Sequence, residues 1–266
     1  MALIALASAK GSPGVTTTAL AMTLTWTSSV VLAECDPAGG SILPGFLRGQ
    51  LGTDRGLMPL AAAELRSERL AVDFWRHLVD FDPPGQQRLL LPGIAEPAQA
   101  GSLAPIWGRL ATFFSGLEVR HRYDVLADCG RLTTVHPPTA ILHSADAVLL
   151  TIRPELPSIS AAAAALRTLR TSLTDHGTGT EGLGLILVGE GTYSGAEIGK
   201  QLGVPVVAQM PTDERSARAL SLGGTVRHGW PLLKRAAQVE PYLRDLISRR
   251  RRPRMAPADQ EATRVR

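Results

Sequence analysis

The sequence predicts a doubly wound α/β fold, with a mostly parallel sheet and helices on both faces. Three observations carry this. Short apolar runs alternate with segments of helical period through most of the chain. A glycine-containing stretch lies between the first apolar run and the first helical segment, and two later apolar runs each lead to an aspartate, Asp36 and Asp128.

Residues 2–7 read as a first buried strand and residues 16–28 as the first helix. Between them stand Ser8, Ala9, Lys10, Gly11, Ser12, Pro13, Gly14 and Val15. Gly11 and Gly14 let the backbone curl so that successive N–H groups point inward. The helix that follows adds the partial positive charge of its N-terminus, which together make an anion nest suited to phosphate. A standard phosphate loop, G-x-x-x-x-G-K-[ST], has a lysine immediately before the hydroxyl residue. Here Val15 fills that slot, followed by Thr16 and Thr17.

Residues 30–33 form a second short strand, from whose carboxyl end Glu34, Cys35 and Asp36 emerge, where ligands bind in open α/β sheets. Residues 41–56, rich in glycine and leucine, read as a switch-like loop. Residues 57–81 are apolar at helical spacing and are read as core in preference to a partner-facing surface. A third strand is expected at 88–93, a loop at 97–102 and a helix at 103–117. Residues 123–130 follow as a strand containing Asp128. Residues 145–155 form another strand and turn, 158–173 an alanine-rich helix, and 182–188 and 204–209 two further strands, each followed by a helix.

The chain has 266 residues, 44% hydrophobic and 20% charged, a globular composition that one α/β domain can accommodate. No apolar run approaches the length of a membrane-spanning helix. Ala7-Ser8-Ala9 mimics a signal-peptidase site, but no positive residue precedes it and cleavage would remove the first strand, so a cytoplasmic location is expected. Cys35 and Cys129 supply no disulfide framework. Residues 248–266 hold seven arginines against Asp259 and Glu261, a net of +5. The chain's total is +4, so the first 247 residues carry about −1. Lysine occurs only at Lys10, Lys200 and Lys234, which makes its presence at the start of the glycine loop notable.

Lys10-Gly11-Ser12-Pro13-Gly14-Val15-Thr16-Thr17 resembles the deviant phosphate loop K-G-G-x-G-K-T-T of the MinD/ParA ATPases, a P-loop NTPase family, with Lys10 at the signature lysine and Val15 at the second one. The irregular loop is most similar to the CpaE/TadZ branch, which accompanies pilus-type secretion machinery. Residues 34–40 resemble the family's D-x-D-P-x-G segment, with Asp36 at the second aspartate and Glu34 at the first. Residues 123–128 resemble its Walker B strand, ending on Asp128, and residues 145–155 its ADxVIxVxxPE segment. Pro211-Thr212-Asp213 resembles its PxD turn, while Gly189-Glu190-Gly191 stands where many relatives have a base-reading asparagine.

The resemblance covers about residues 1–247 and implies the following roles. Residues 11–17 bind ATP phosphates. Thr16 and Asp128 hold Mg2+, to which Asp36 also contributes while positioning the attacking water. Pro211 and Asp213 lie near the base, and Lys10 acts across a nucleotide-dependent homodimer. With Val15 in place of a lysine, hydrolysis is expected to be slow or absent. The partner implied is a secretion or pilus apparatus.

A scaffold without turnover, a DNA-partition ATPase and an iron–sulfur reductase of the nitrogenase iron-protein type are the alternatives. Nucleic acid fits less well because the basic excess sits in the tail, and the spacing of Cys35 and Cys129 does not match the reductase ligands. Val239, Tyr242, Leu243, Leu246 and Ile247 form an apolar stripe followed by Arg249–Arg252. This end either packs as a last helix with a solvated, disordered tail from residue 248, or lies on a membrane as MinD relatives do, which would place the chain at the inner membrane face or cell pole. Packing is preferred, because the charges follow the stripe instead of interleaving with it.

Overall fold

The computed structural model describes residues 2–11, 13–50, 54–67 and 69–251. Ser12 and residues 252–266, including Pro253 and Pro257, lie outside the described residues. The elements run β1 (Leu3–Ser8), α1 (Val15–Thr25), β2 (Val30–Glu34), α2 (Leu57–Ser67), α3 (Leu70–Asp73), β3 (Val79–Asp80), β4 (Arg88–Leu91), α4 (Trp107–His121) and β5 (Asp124–Arg131). They continue with α5 (Thr139–Ser144), β6 (Ala147–Ile152), α6 (Leu156–His176), β7 (Leu183–Val188), α7 (Gly195–Leu202), β8 (Val206–Met210), α8 (Glu214–Leu222), α9 (Pro231–Ala236) and α10 (Val239–Arg251).

The strands form one sheet in the order β3-β4-β2-β5-β1-β6-β7-β8. All pairs are parallel except β3 with β4. β1 lies between β5 and β6 and is buried at every position, as expected for a strand covered on both faces. Leu3, Ala5, Ala7 and Ala9 point into one apolar layer, with residues of α2, α4, α5 and α6. Ile4 and Leu6 point into the other, with residues of α1, α8, α9 and α10. The chain winds outward from β1 in both directions, so the β1–α1 loop opens at the carboxyl edge near the reversal of strand order, where α/β folds bind ligands.

Two stretches differ from expectation. Residues 57–81 are not one helix: α2 is followed by α3, by a 3-10 segment at Phe74–His77 and by β3. Their apolar residues do serve the core, since Leu57, Leu60 and Phe74 are fully buried and Phe74 meets Phe113 and Phe114 at 4.8 and 6.0 Å between ring centres. The expected loop at 97–102 is a 3-10 segment, Pro97–Leu103, closed by a reciprocal cap between Glu96 and Gln99.

α10 uses its stripe internally. Val239, Leu243 and Ile247 are buried at a spacing of four, against α1 and the sheet. The helix continues beyond residue 248 to Arg251. Arg250 donates to the carbonyls of Asp146 and Thr178, and Arg251 pairs with Asp146 at 3.0 Å and Glu118 at 2.9 Å. Among the described residues no helix is long and apolar enough to cross a membrane.

Buried Glu240 ties α10 to the end of α1. Its carboxylate accepts from the Thr27 N–H at 2.7 Å and the Thr27 hydroxyl at 2.8 Å, and Arg244 pairs with it from the next turn. Glu240→Ala leaves these donors without their acceptor, and urea denaturation is expected to show a loss of about 2–3 kcal/mol, discounted because Arg244 is partly in solvent.

Candidate nucleotide-binding site

Gly14 is the residue on which the loop turns into α1. It adopts a left-handed conformation, φ 96°, that a β-branched residue rarely takes, and it stands at the N-cap of α1 without a side-chain cap. The first turn of α1 also contains no acidic residue. The amide groups that open the helix therefore face the loop with neither a capping side chain nor a carboxylate to answer them, the arrangement that suits a bound anion. Val15, the first helical residue, is 7% exposed and belongs to the apolar layer on the α1 face. The place of the usual lysine is thus taken by a side chain that the core has absorbed. Lys10 and Gly11 are exposed and Pro13 is buried.

Thr16 and Asp128, 112 residues apart in sequence, meet directly: the Thr16 hydroxyl donates to Asp128 Oδ2 at 2.5 Å. The other oxygen of Asp128 accepts from the Gly130 N–H at 3.0 Å. Burial raises the Asp128 carboxyl to about 7, against the hydrogen bonds from Thr16 and Gly130, while Asp36 and Glu34 add repulsion. A buried carboxylate so placed gains from a cation. Among the described residues no cluster of three or more His, Cys, Asp or Glu side chains forms a protein cage for a metal. Mg2+ commonly takes one or two protein oxygens and completes its shell with phosphates and water. The Thr16 hydroxyl and the Asp128 carboxylate fit that demand.

Asp36 is half-buried beside this pair, its Oδ1 accepting from the Ala38 N–H at 2.8 Å. Burial raises its carboxyl, against the Ala38 hydrogen bond and the pull of Arg131. Gly130, at φ 61°, lets Asp36 sit there: a Cβ on it would overlap the Asp36 carboxyl group. Glu34 has a structural task. It is buried and paired in register with Asp128, and it accepts from the N–H groups of Ser41 at 2.7 Å, Ile42 at 3.0 Å and Gly93 at 3.2 Å. Burial raises its carboxyl, against those three donors. The extra methylene relative to aspartate lets one carboxylate hold both the start of the 41–50 segment and the turn after β4.

A hollow of about 260 Å3 extends from Gly14, Thr17 and Thr18 to Gly189, Pro211 and Thr212. This brings the glycine loop and the Pro211-Thr212-Asp213 turn to one cavity. The Asp213 side chain itself is committed elsewhere. It accepts from the Ser216 N–H at 3.0 Å, the Ser216 hydroxyl at 2.6 Å and the Leu232 N–H at 3.2 Å, so it caps α8 and fastens α9. Its carboxyl is lowered because these bonds outweigh burial. Sequence reasoning about this site passed over Arg131 and Arg153, which flank the loop from the neighbouring strands, and the strand register is the signal that finds them. Cys35 and Cys129 are buried, their thiols held protonated by burial, and neither reaches the surface where a cluster shared between two subunits would need them.

No protein-family model matches the sequence, and no curated protein matches it. Solved structures do resemble the fold. MinD from Pyrococcus horikoshii OT3, complexed with Mg-ADP, superposes with a TM-score of 0.69 at 15% identity, over 94% of this chain and 98% of that one. A ParA family ATPase from Chlorobium tepidum TLS gives 0.65 at 18%, over 90% and 98%. A Cyanothece McdA variant in complex with ATP gives 0.66 at 17%, over 90% and 95%. The chain therefore has the α/β fold of the MinD and ParA ATPases over nearly its whole described length.

Proposed function

We propose that the chain is an ATP-binding dimerisation switch of the MinD/ParA type that positions or regulates a pilus- or secretion-type apparatus, with weak or absent hydrolysis. The observation that carries this reading is the uncapped N-terminus of α1 behind Gly14, with the Thr16–Asp128 pair beside it. The similarity of fold to nucleotide-bound MinD and McdA supports it.

In this reading the 11–17 segment cradles the phosphates, with the backbone N–H groups of Gly14, Val15, Thr16 and Thr17 as donors at the start of α1, while Pro13 has no N–H to give. Thr16 and Asp128 hold Mg2+ with Asp36 nearby, and the bound ion neutralises phosphate charge. Asp36 orients water at the end of the phosphate chain, the task that its position beside the Thr16–Asp128 pair permits. Pro211 and the backbone of Asp213 form the far wall of the hollow and face the base. Phosphoryl transfer depends on positioning and charge neutralisation. With Val15 buried, one cation is withdrawn from the reacting phosphates, so nucleotide is held and released more readily than it is cleaved. The same observation favours the second reading, a scaffold that binds without turnover.

Lys10 is exposed at the rim of the loop, where it can reach a second copy of the chain. Sedimentation velocity with ATP and Mg2+ is expected to show a dimer for the wild type and a monomer for Lys10→Ala. A dimer that survives the substitution refutes the role of Lys10.

A further inference from the structure

The position that lacks its lysine is not left in neutral surroundings. β1 runs between β5 and β6, and in the register of the sheet Ser8 stands beside Arg131 on one side and Thr151 on the other. Side chains alternate along a strand, so Thr151 shares the sheet face of Ser8, which is the α1 face. Just past the carboxyl ends of these two strands, Lys10 and Arg153 line one hollow at the mouth of the loop.

Arg153 borders two hollows, one on each side of that mouth. The first is the 260 Å3 space with Gly14, Thr17 and Thr18, and the second, of about 410 Å3, is walled by Lys10, Gly11 and Pro13. The backbone of Arg153 is held, since its N–H donates to the Ser158 hydroxyl at 3.1 Å in the first turns of α6. Its side chain is exposed and makes no ion pair among the described residues, including with Glu155, which lines the same two hollows. Arg131 differs, because its charge acts on Asp36. Near the loop, Arg153 is thus a guanidinium on a fixed backbone, adjacent to the helix N-terminus and not committed to a carboxylate.

We propose that Arg153 binds the phosphate chain of the nucleotide and supplies the positive charge that Val15 does not. A guanidinium presents paired N–H donors that match two phosphate oxygens, so an arginine just past β6 holds the bound phosphate chain, while the lysine position in the first turn of α1 stays uncharged during cleavage. The inference rests on the reading of the loop as a nucleotide site.

The test is equilibrium binding of fluorescent ATP and AMP to the full chain with Mg2+, for the wild type, Arg153→Gln and Arg153→Lys. Arg153→Gln is expected to weaken ATP binding about tenfold or more and AMP binding less than about twofold, because the charged contact is with the outer phosphates. Arg153→Lys is expected to fall between the two. Thermal melting within about 2 °C of the wild type shows that the Gln variant is folded; Arg153→Lys carries the comparison if it is not. Equal binding of ATP by the wild type and Arg153→Gln, or an equal loss for ATP and AMP, overturns the role of Arg153 and leaves the nucleotide site standing. A wild type that binds neither nucleotide overturns the site reading, and the inference with it.

Discussion

Asp128→Asn is expected to make the nucleotide-free protein more stable at pH 8 while weakening its binding of Mg2+-nucleotide. The carboxyl is raised to about 7 by burial, from an ordinary value of 3.8. Between those two values the folded chain retains a proton that the unfolded chain has released. Stability therefore falls as pH rises from about 4 to about 7 and levels off above. Asparagine is neutral throughout and keeps an oxygen for Thr16 or Gly130. The gain at pH 8 in chelator is expected on the order of 2–4 kcal/mol, with little difference between variant and wild type at pH 4. Affinity for ATP with Mg2+ should drop on the order of 100-fold, because the neutral side chain no longer attracts the cation. Urea melts at the two pH values and one binding titration check both halves.

Gly130→Val is expected to disconnect Asp36 from the site. A side chain at position 130 must take φ 61°, which costs a β-branched residue about 1–2 kcal/mol, and its Cβ runs into the Asp36 carboxyl group. A total loss of about 2–4 kcal/mol in urea is expected, and, in the proposed switch in which Asp36 responds to the outer phosphate, loss of the difference between ATP and ADP in driving dimerisation. Gly108→Ala is the control. Gly108 lies within α4 with open space where a Cβ would go, so alanine there should stabilise by about 0.5–1 kcal/mol and leave nucleotide responses unchanged.

Both expectations depend on contacts that the sequence reveals unevenly. β1, β2 and β6 were legible because a strand covered on both faces is apolar almost throughout, β5 from its apolar run leading to Asp128, and the glycine loop because its turn into α1 needs residues tolerant of unusual backbone angles. α6 was legible from its alanine-rich composition, and the structure adds that Ile159, Ala162, Leu166, Leu169 and Leu173 form its buried face. Residues 57–81 misled because apolar spacing persisted across helix, 3-10 turn and strand alike, and β3 has only two residues in which a period of two could appear. α9 is a six-residue helix with a proline in its first turn, too short for a periodic signal.

Within the site, the meeting of Thr16 and Asp128 followed from motif order, but the duties of three other carboxylates and arginines did not. Asp213 caps α8 and holds Leu232, a partner 19 residues away that no local pattern indicates. Glu34 reads as a near-match to an aspartate, yet its length serves to gather three amides from two loops. Arg153 becomes relevant only when β6 is set in register beside β1. Each depends on which elements are neighbours in the fold, helices α8 and α9 for Asp213 and strands for Glu34, a property that apolar periodicity along one element does not contain.

In the proposed function the loop from Lys10 to Thr17 holds nucleotide without cleaving it efficiently. The most direct measurement is a titration of the wild type with labelled ATP and ADP in Mg2+, with phosphate release followed on the same sample. Saturable binding of one nucleotide per chain, with phosphate release far below the 1–100 per second typical of kinases, is the expected result. Absence of binding by either nucleotide would contradict the account, as would turnover within that range with Val15 in place.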